Sequence, residues 1–421
     1  MLRSSCRFAL LACVAAGPPV TAQAPQTQTD DYTRYELLEP GSAGFRILYD
    51  VSATTPDARF YYNTIRVGAE EEVHGVTDLH TGRPLEWEVV DGAHARENGH
   101  PRASPEGRYI KVTLARPVPD GGQARIRIDK TYWDHESYFE EDGDIVFDRS
   151  LGIRRNAVVL PAGYEPVGAN YPVQVETEAT GRIRLSFMSP GPGAVPLRIT
   201  GRRLENGGPS GEPPRPGAER VPTSGGGDPA RARVDYVVPE RAFEDRDITY
   251  FLDQPGTSSF RLFHDYTESR EGMDRYLNVV RAGSSASDPE AYSLDTGERL
   301  EVEQLRGSAI AERGIDLGRE PDPDTEVVVI WFDPVAAGAS VRLRIWETYT
   351  DPGRYLLSGD ELVWDRSFGR ARNTVVLPDG WYLTANSIPG VIDETDEGRI
   401  RIRYVNPRPD GIQVFLKGRR R

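Results

Sequence analysis

The feature that most constrains this chain is an internal repeat. Residues 144–163 read DIVFDRSLGIRRNAVVLPAG, residues 361–380 read ELVWDRSFGRARNTVVLPDG, and twelve of the twenty positions are identical. The offset of 217 residues holds to the end of both copies, whereas nearer their beginnings it is 215 residues. We attribute the difference to one small loop insertion between residues 86 and 130. Two copies of this length predict a duplicated domain rather than a solenoid of short repeats.

The repeat divides the 421 residues into four expected parts. These are a signal peptide over residues 1–22, a first repeat over 32–204, a Pro/Gly-rich linker over 205–234 and a second repeat over 235–421. A linker of this composition is typically flexible and partly extended. Each repeat has the size of an independent domain. Two such domains on one linker could bind a target with two sites, because binding of the first domain raises the effective concentration of the second.

Within each repeat the residue pattern is that of β-strands. Apolar residues alternate with arginine over residues 124–128, 181–187, 340–345 and 399–404. This alternation is typical of strands with one buried face. The sequence shows no convincing amphipathic helix longer than about two turns. The predicted fold class is therefore all-β, with two tandem homologous antiparallel β-sandwich domains joined by the Pro/Gly-rich linker.

The first residues have the pattern of an export signal. Arg3 and Arg7 precede a short apolar stretch and a run of small residues, which is typical of a secretory signal peptide. We expect a periplasmic or extracellular protein. The alternative is a lipoprotein anchored at Cys13, because Leu-Leu-Ala-Cys at 10–13 is similar to a lipobox. Both cysteines of the chain, Cys6 and Cys13, lie in this leader, so no disulfide framework is expected.

Charge and hydropathy exclude two classes of partner. The formal net charge is −14, whereas a general nucleic-acid binder needs a basic surface for phosphates. No apolar run reaches the roughly 18 residues that a membrane span needs, so no integral membrane segment is predicted. The expected ligand is a protein, a peptide or a glycan, and the sequence leaves the oligomeric state open.

The most distinctive motif of the repeat is Asp-Arg-Ser-x-Gly followed by Asn. A ligand-binding loop between two strands is one interpretation of this motif. The other is structural, with an Asp–Arg ion pair and an Asn that turns the backbone through side-chain hydrogen bonds. The candidate ligand-binding residues are Asp148, Arg149, Asn156, Asp365, Arg366 and Asn373.

Other chemistry has weaker support in the sequence. Four histidines (His74, His80, His94 and His100) lie close together without the spacing of a helical zinc site. Acidic turns at 140–144 and 320–324 do not match the EF-hand loop. No serine-hydrolase elbow or nucleotide-binding glycine motif is present. We therefore predict no catalytic residue, no metal and no cofactor.

Aromatic residues recur at equivalent positions of the two repeats. Phe147 corresponds to Trp364, and Tyr164 corresponds to Trp381. Aromatic side chains on an exposed sheet would stack on sugar rings, but they more often fill the core of a sandwich. We expect the core position.

Each repeat also resembles a known domain. Tyr35 and Tyr250 open a strand, a long β stretch follows (in the first repeat ending in RIRIDKTY at 125–132), and Val-Leu-Pro-x-Gly-Tyr/Trp comes later. This order is similar to the β-rich N-terminal domain of M1-type aminopeptidases. The resemblance implies a non-catalytic sheet assembly of the kind that shapes a substrate entrance in that family. The chain lacks the family's H-E-x-x-H helix, so no catalytic residue carries over.

The function predicted from these observations is a secreted, non-catalytic binding or accessory module with duplicated β domains. One alternative is an extracellular carbohydrate-active hydrolase that uses loop carboxylates as acid and base. Another is a structural component of an envelope complex, which would expose an apolar patch. A deep pocket with convergent carboxylates of perturbed pKa would favour the hydrolase, whereas a flat face or a shallow groove would favour binding.

Overall fold

The two halves of the chain fold into the same set of β-sheets. The computed structural model describes residues 25–189, 191, 193–204, 240–388 and 390–421. The expected signal peptide and linker lie outside these residues. We call residues 25–204 the first half and residues 240–421 the second half.

The first half contains fourteen strands and one short helix. They are β1 (Gln28–Leu37), β2 (Gly44–Ala53), β3 (Phe60–Ile65), β4 (Glu70–Asp78), β5 (Trp87–Asp91), α1 (Gly92–Glu97), β6 (Arg108–Thr113), β7 (Ala124–Trp133), β8 (Tyr138–Glu141), β9 (Asp144–Leu151), β10 (Arg155–Val159), β11 (Tyr164–Ala169), β12 (Gln174–Thr177), β13 (Ile183–Met188) and β14 (Val195–Arg203).

The second half repeats this order with fourteen further strands. They are β15 (Asp247–Leu252), β16 (Ser259–Glu268), β17 (Arg275–Val279), β18 (Ser285–Ser293), β19 (Glu301–Arg306), α2 (Ser308–Glu312), β20 (Glu326–Trp331), β21 (Val341–Thr350), β22 (Tyr355–Ser358), β23 (Glu361–Phe368), β24 (Arg372–Val376), β25 (Trp381–Asn386), β26 (Val391–Glu394), β27 (Ile400–Val405) and β28 (Ile412–Arg420). A 3-10 turn at Pro255–Thr257 precedes β16.

Each half has one large sheet and two small ones. The large sheet of the first half has the order β12-β13-β10-β1-β2-β7-β4, and that of the second half is β26-β27-β24-β15-β16-β21-β18. The small sheets are β11-β14-β9-β8 and β3-β6-β5 in the first half, and β25-β28-β23-β22 and β17-β20-β19 in the second. Pairing is antiparallel except where β1 meets β10 and β15 meets β24.

The strands form where the sequence alternates. In β21 the inward positions Leu343 and Ile345 are fully buried, while Arg344 between them is only partly buried. The hairpin from β8 to β9 turns at Asp142 and Gly143, whose φ angles of 53° and 85° suit the Asp-Gly sequence. The predicted all-β fold with two sandwich-like halves is confirmed.

One apolar core in each half joins all three sheets. In the first half Phe45 of the large sheet packs with Phe147 of the four-stranded sheet, and Ile110 of the three-stranded sheet belongs to the same core. In the second half Phe260 and Trp364 meet edge to face at 4.9 Å between ring centroids. The two small sheets therefore cover the same face of the large sheet and form a split second layer. The expectation that Phe147 and Trp364 fill the core is confirmed, since both are fully buried.

The strand registers correct the predicted loop insertion. Trp87 pairs with Val112, whereas the equivalent Val302 pairs with Ile330. The second half is therefore three residues longer between these two strands. It is one residue shorter before β21, because Tyr132 and Tyr349 again differ by 217. Two changes of length, and not one insertion, produce the shift in offset.

The two halves contact each other directly. Arg125 donates to both carboxylate oxygens of Asp295, at 2.7 and 3.0 Å, and both side chains are buried. His80 Nδ1 lies 3.3 Å from the same carboxylate. Asp295 is the sequence equivalent of His80, so corresponding turns of the two halves meet at this interface. A buried, bidentate ion pair holds the contact in place.

No helix among the described residues is long and apolar enough to cross a membrane.

Candidate functional site

The acidic and basic residues of the repeated motif lie on opposite faces of their strand. Successive side chains of a strand alternate between faces, so Asp148 and Arg149 do not form the predicted pair. Asp148 pairs with Arg198 at 2.8 Å on the exposed side of β9. Arg149 is turned inward and pairs with Asp134 at 3.1 Å.

The second copy of the motif has the same arrangement. Asp365 is exposed and accepts a hydrogen bond from Gln413. Arg366 is 4% exposed and donates to Asp351 at 2.6 Å. The predicted Asp–Arg ion pair is therefore wrong in both copies. In each copy the arginine reaches instead to an aspartate just before the preceding strand.

Aromatic rings surround the inward arginines. The guanidinium of Arg366 lies 4.8 Å from the ring centre of Phe260 and 5.4 Å from that of Trp364. Arg149 lies 5.4 Å from the ring centre of Phe45. Burial lowers the pKa of Arg366, and the nearby charge of Arg281 adds to this effect. Each of these arginines places a positive charge next to the apolar core of its half.

The asparagines have the turning role that the structural interpretation predicts. Asn156 Nδ2 donates to the carbonyl of Ile153 at 2.6 Å, and Asn373 Nδ2 donates to the carbonyl of Arg370 at 2.9 Å. Both side chains are buried. They fix the turn that leads into β10 and β24.

A cleft of about 250 Å³ opens in the second half where its second layer is split. Strands β15, β16, β21 and β24 of the large sheet form its floor. Strand β17 and the segment that follows form one side, and β23 with the turn after it forms the other. We call this space the cleft. Its lining residues with polar side chains are His264, Asn278, Arg281, Glu347, Arg366, Ser367, Arg370 and Asn373, with Tyr250 and Tyr349.

A buried carboxylate lies at the floor of the cleft. Glu347 is 1% exposed, and Asn278 Nδ2 donates to its two oxygens at 2.8 and 2.7 Å. Burial raises the pKa of Glu347 to about 7, against the opposing effect of the Asn278 hydrogen bond. A neutral form of this side chain is therefore available at and below neutral pH, and that form carries an O–H donor.

Three further polar atoms at the cleft have no hydrogen-bond partner within the described part of the chain, and Asn373 Oδ1 is one of them. His264 is 4% exposed, and its Nε2 makes no hydrogen bond there; burial lowers the pKa of this imidazole to about 3. The Nε of Arg366 is also buried without a bond to any described residue. Buried polar atoms of this kind are costly unless something satisfies them. They therefore indicate a place where a ligand would bond.

The equivalent place in the first half is filled by the chain itself. Lys130 occupies the position of Glu347, and its Nζ donates to Asn63 Oδ1 at 2.5 Å and to the Tyr132 hydroxyl at 3.2 Å. Burial and the nearby charge of Arg149 lower the pKa of Lys130 to about 7. Tyr49 stands where the second half has His264, and its hydroxyl lies 3.4 Å from that of Tyr61. Smaller side chains at these two positions open the cleft.

Sequence reasoning found part of this site and missed the rest. It selected Arg366 and Asn373 through the repeated motif, together with Asp365, which does not line the cleft, and with the first-half residues Asp148, Arg149 and Asn156. It missed Glu347, although a charged residue at an inward position of an alternating strand is an available signal. Glu347 stands in that inward series, two positions before Tyr349.

A larger cavity of about 530 Å³ lies between the two halves. Its charged groups are largely neutralised within the protein. Arg127 pairs with Asp50 at 2.6 Å, and Arg270 pairs with Glu268 at 2.6 Å. The Arg270 contact lowers the pKa of Glu268 to about 2 against the opposite effect of burial. The cavity therefore offers fewer uncompensated groups than the cleft.

The four histidines noted in the sequence do not converge. His74 bonds to Thr131, His80 lies at the interface between the halves, and His100 stacks on Tyr62. His94 lies 3.2 Å from Lys111 Nζ. In the part of the chain that the structure describes, no group of three metal-ligating side chains comes together.

No protein-family model and no curated protein match the sequence. Solved structures give distant matches. An M1 zinc metallopeptidase from Deinococcus radiodurans matches 43% of this chain and 43% of its own, at 14% identity and a TM-score of 0.30. An aminopeptidase N family protein from Idiomarina loihiensis matches 41% of this chain and 29% of its own, at 10% identity and a TM-score of 0.26.

The resemblance to M1 peptidases is faint, as the sequence indicated. The chain spans less than half of the length of the metallopeptidase that it matches. Collagen adhesin from S. aureus matches more of the chain, 82%, but at 9% identity and a TM-score of 0.14. No residue role follows from matches this distant, and the cleft is interpreted from its own geometry.

Proposed function

We propose that this chain is an exported, non-catalytic binding module and that the cleft is its ligand site. The observation that carries the proposal is a pair of buried polar atoms in an open cleft, His264 Nε2 and Arg366 Nε, to which no described residue offers a hydrogen bond. Protein interiors rarely leave such atoms unbonded. A bound ligand would satisfy both of them.

The lining of the cleft favours binding over hydrolysis. Glu347 is the single carboxylate among the described residues that line it. Glycoside hydrolysis uses two carboxyl groups, about 5–9.5 Å apart. The alternative of a carbohydrate-active hydrolase therefore finds no support at this place. A scaffold of an envelope complex stays a prediction.

The test fills the cleft with the residues that the first half uses. The double variant H264Y/E347K copies Tyr49 and Lys130 into the second half, so the fold has a precedent within the same chain. Thermal unfolding of the exported chain is measured against a panel of small organic acids, amines, sugars and short peptides. A ligand that binds only the native state raises the transition temperature.

We expect at least one compound class to raise the transition of the wild type and to leave H264Y/E347K unchanged. The matched control, Y49F, alters the equivalent place of the first half and should keep the ligand effect. A shift that persists in H264Y/E347K would place the ligand elsewhere. The absence of any shift across the panel would count against a small-ligand site.

A further inference from the structure

The charges at the cleft are unbalanced toward positive. Arg281, Arg366 and Arg370 line it, and Glu347 is the one acidic residue among the described lining. Arg370 forms no ion pair with a described residue. Arg281 donates to the carbonyl of Ser367 at 3.3 Å, which leaves its charge without a carboxylate partner in the described structure.

The nearest aspartate does not neutralise this group. Asp351 is fully buried and shares its carboxylate between Arg366 at 2.6 Å and Arg354 at 3.2 Å. Two guanidinium groups therefore divide one negative charge. Asp351 thus does not neutralise Arg281 or Arg370, whose positive charges line the cleft. The low local dielectric there strengthens their attraction for an anion.

The carboxylate of Glu347 opposes an anion less than its formal charge implies. It lies deep on the floor and is occupied by two hydrogen bonds from Asn278. Because burial raises its pKa to about 7, a neutral form is available at and below neutral pH. A neutral carboxyl group donates a hydrogen bond to an anion and does not repel it.

The cleft also has apolar lining. Ile248 and Leu262 lie on its floor, and Val279 lies on the side that β17 forms. Val279 is 45% exposed, so its side chain is accessible to a ligand in the cleft. A ligand with an apolar body would cover this side chain, whereas a bare inorganic anion would leave it in water.

We infer that the cleft binds a small organic acid, with its carboxylate between Arg281, Arg366 and Arg370 and its apolar body on Leu262 and Val279. This inference rests on the proposed function, because it names the ligand class of the same site. A planar guanidinium group can bind a carboxylate through two parallel hydrogen bonds, in bidentate geometry. Neutral His264 then contributes a hydrogen bond to a polar group on the ligand.

The first half gives a reason to place this site in the second half alone. Arg370 corresponds to Ile153, and Glu347 corresponds to Lys130, whose ammonium group bonds to Asn63 and Tyr132. Lys130 occupies the space that an organic acid would need. The predicted stoichiometry is therefore one acid per chain.

The experiment compares three probes by calorimetric titration of the exported chain: benzoate, benzamide and inorganic phosphate. We expect benzoate to bind and the neutral benzamide to bind at least about tenfold more weakly, because it lacks the charge-assisted bonds. R370I, which copies the residue of the first half, should weaken benzoate by about tenfold or more. R319I removes the same charge from an exposed position away from the cleft and should leave benzoate binding unchanged.

The outcomes separate this inference from the proposed function. Equal binding of phosphate and benzoate, or equal loss in R370I and R319I, would overturn the organic-acid assignment. If benzoate fails but another compound binds and H264Y/E347K abolishes that binding, the ligand class is wrong and the binding module stands. If no compound depends on H264Y/E347K, both fail. Unfolding curves of each variant, with R370Q as a second substitution, exclude loss of fold as the cause.

Discussion

At the scale of single residues, the two halves carry side chains of opposite charge type at one equivalent inner position. Lys130 is 4% exposed and Glu347 is 1% exposed. Each is held by an asparagine of the neighbouring three-stranded sheet, Asn63 or Asn278. Burial moves the pKa of both groups to about 7, downward for the lysine and upward for the glutamate. Each charge is therefore expensive to keep in the folded protein.

This exchange predicts opposite pH dependences of stability. The folded protein holds the Glu347 proton more tightly than the unfolded chain, so the free energy of unfolding falls as pH rises from 4.5 to about 7. The folded protein holds the Lys130 proton less tightly, so the free energy of unfolding rises with pH from about 7 to 10.5. The two groups together reduce stability most near pH 7.

Urea unfolding at about pH 5, 7 and 9 tests this prediction. E347Q should remove the fall between the first two values, which is worth up to about 3 kcal/mol. K130M should remove the rise between the last two. If both variants keep the slopes of the wild type, neither group titrates in the folded protein as its burial implies.

At the scale of elements, the split second layer decides what each half does with its inner polar face. Both halves present the same strands to the gap. The first half closes it with Tyr49 and Lys130, and the second half leaves it open beside His264 and Glu347. The presence of a cleft in a half thus depends on side-chain volume and not on strand order.

Introducing the cleft residues of the second half into the first half should open a second cleft. The triple variant Y49H/K130E/I153R gives the first half the residues of the second at three equivalent positions. We expect it to bind two organic acids per chain where the wild type binds one, as measured by calorimetric stoichiometry. Y49H/K130E without the new arginine is the control, and its second site should be weaker by about tenfold or more. A stoichiometry that stays at one in the triple variant would contradict this account of the cleft.

The sequence was sufficient to predict the strands but not the cleft. Alternation at residues 124–128 and 340–345 predicts β7 and β21, since burial of one face dictates the period of two. The cleft depends on a long-range arrangement, in which Asn278 and Glu347 meet although they lie 69 residues apart. Local pattern carries no information about that contact. The wrong ion pair has a different cause: its prediction assigns the motif to a loop, whereas Asp148 and Arg149 lie in strand β9, where adjacent side chains point to opposite faces.

At the scale of the whole molecule, corresponding turns of the two halves form their mutual contact. Ser340 Oγ donates to the carbonyl of Leu79 at 2.6 Å. The backbone N–H of Gln123, the equivalent of Ser340, donates to the carbonyl of Leu294 at 2.7 Å. The same two pairs of equivalent residues thus bond in both directions, once through a side-chain hydroxyl and once through a backbone N–H, as an approximate two-fold axis would place them. The buried Asp295 breaks this symmetry, because the first half has His80 in its place.

The asymmetry makes Asp295 the residue on which the contact depends. Its carboxylate bonds to Arg125, receives the backbone N–H of Arg342 at 2.7 Å and lies beside His80. These contacts hold its pKa well below the ordinary value despite burial. Removing one partner of a buried pair leaves the other charge uncompensated, at a cost of about 3–5 kcal/mol. D295A should therefore destabilise the contact and separate one unfolding transition into two.

Differential scanning calorimetry of the wild type and D295A measures this effect. The matched control is H80A, at the equivalent position of the first half. Because the Arg125 pair remains in H80A, we expect a loss of about 1 kcal/mol or less, as for a single hydrogen bond. The loss of stability in D295N should lie between those of D295A and H80A. An amide keeps part of the hydrogen bonding of Asp295 but loses its charge. If D295A and H80A show the same number of transitions at the same temperatures, contacts other than this ion pair hold the halves together.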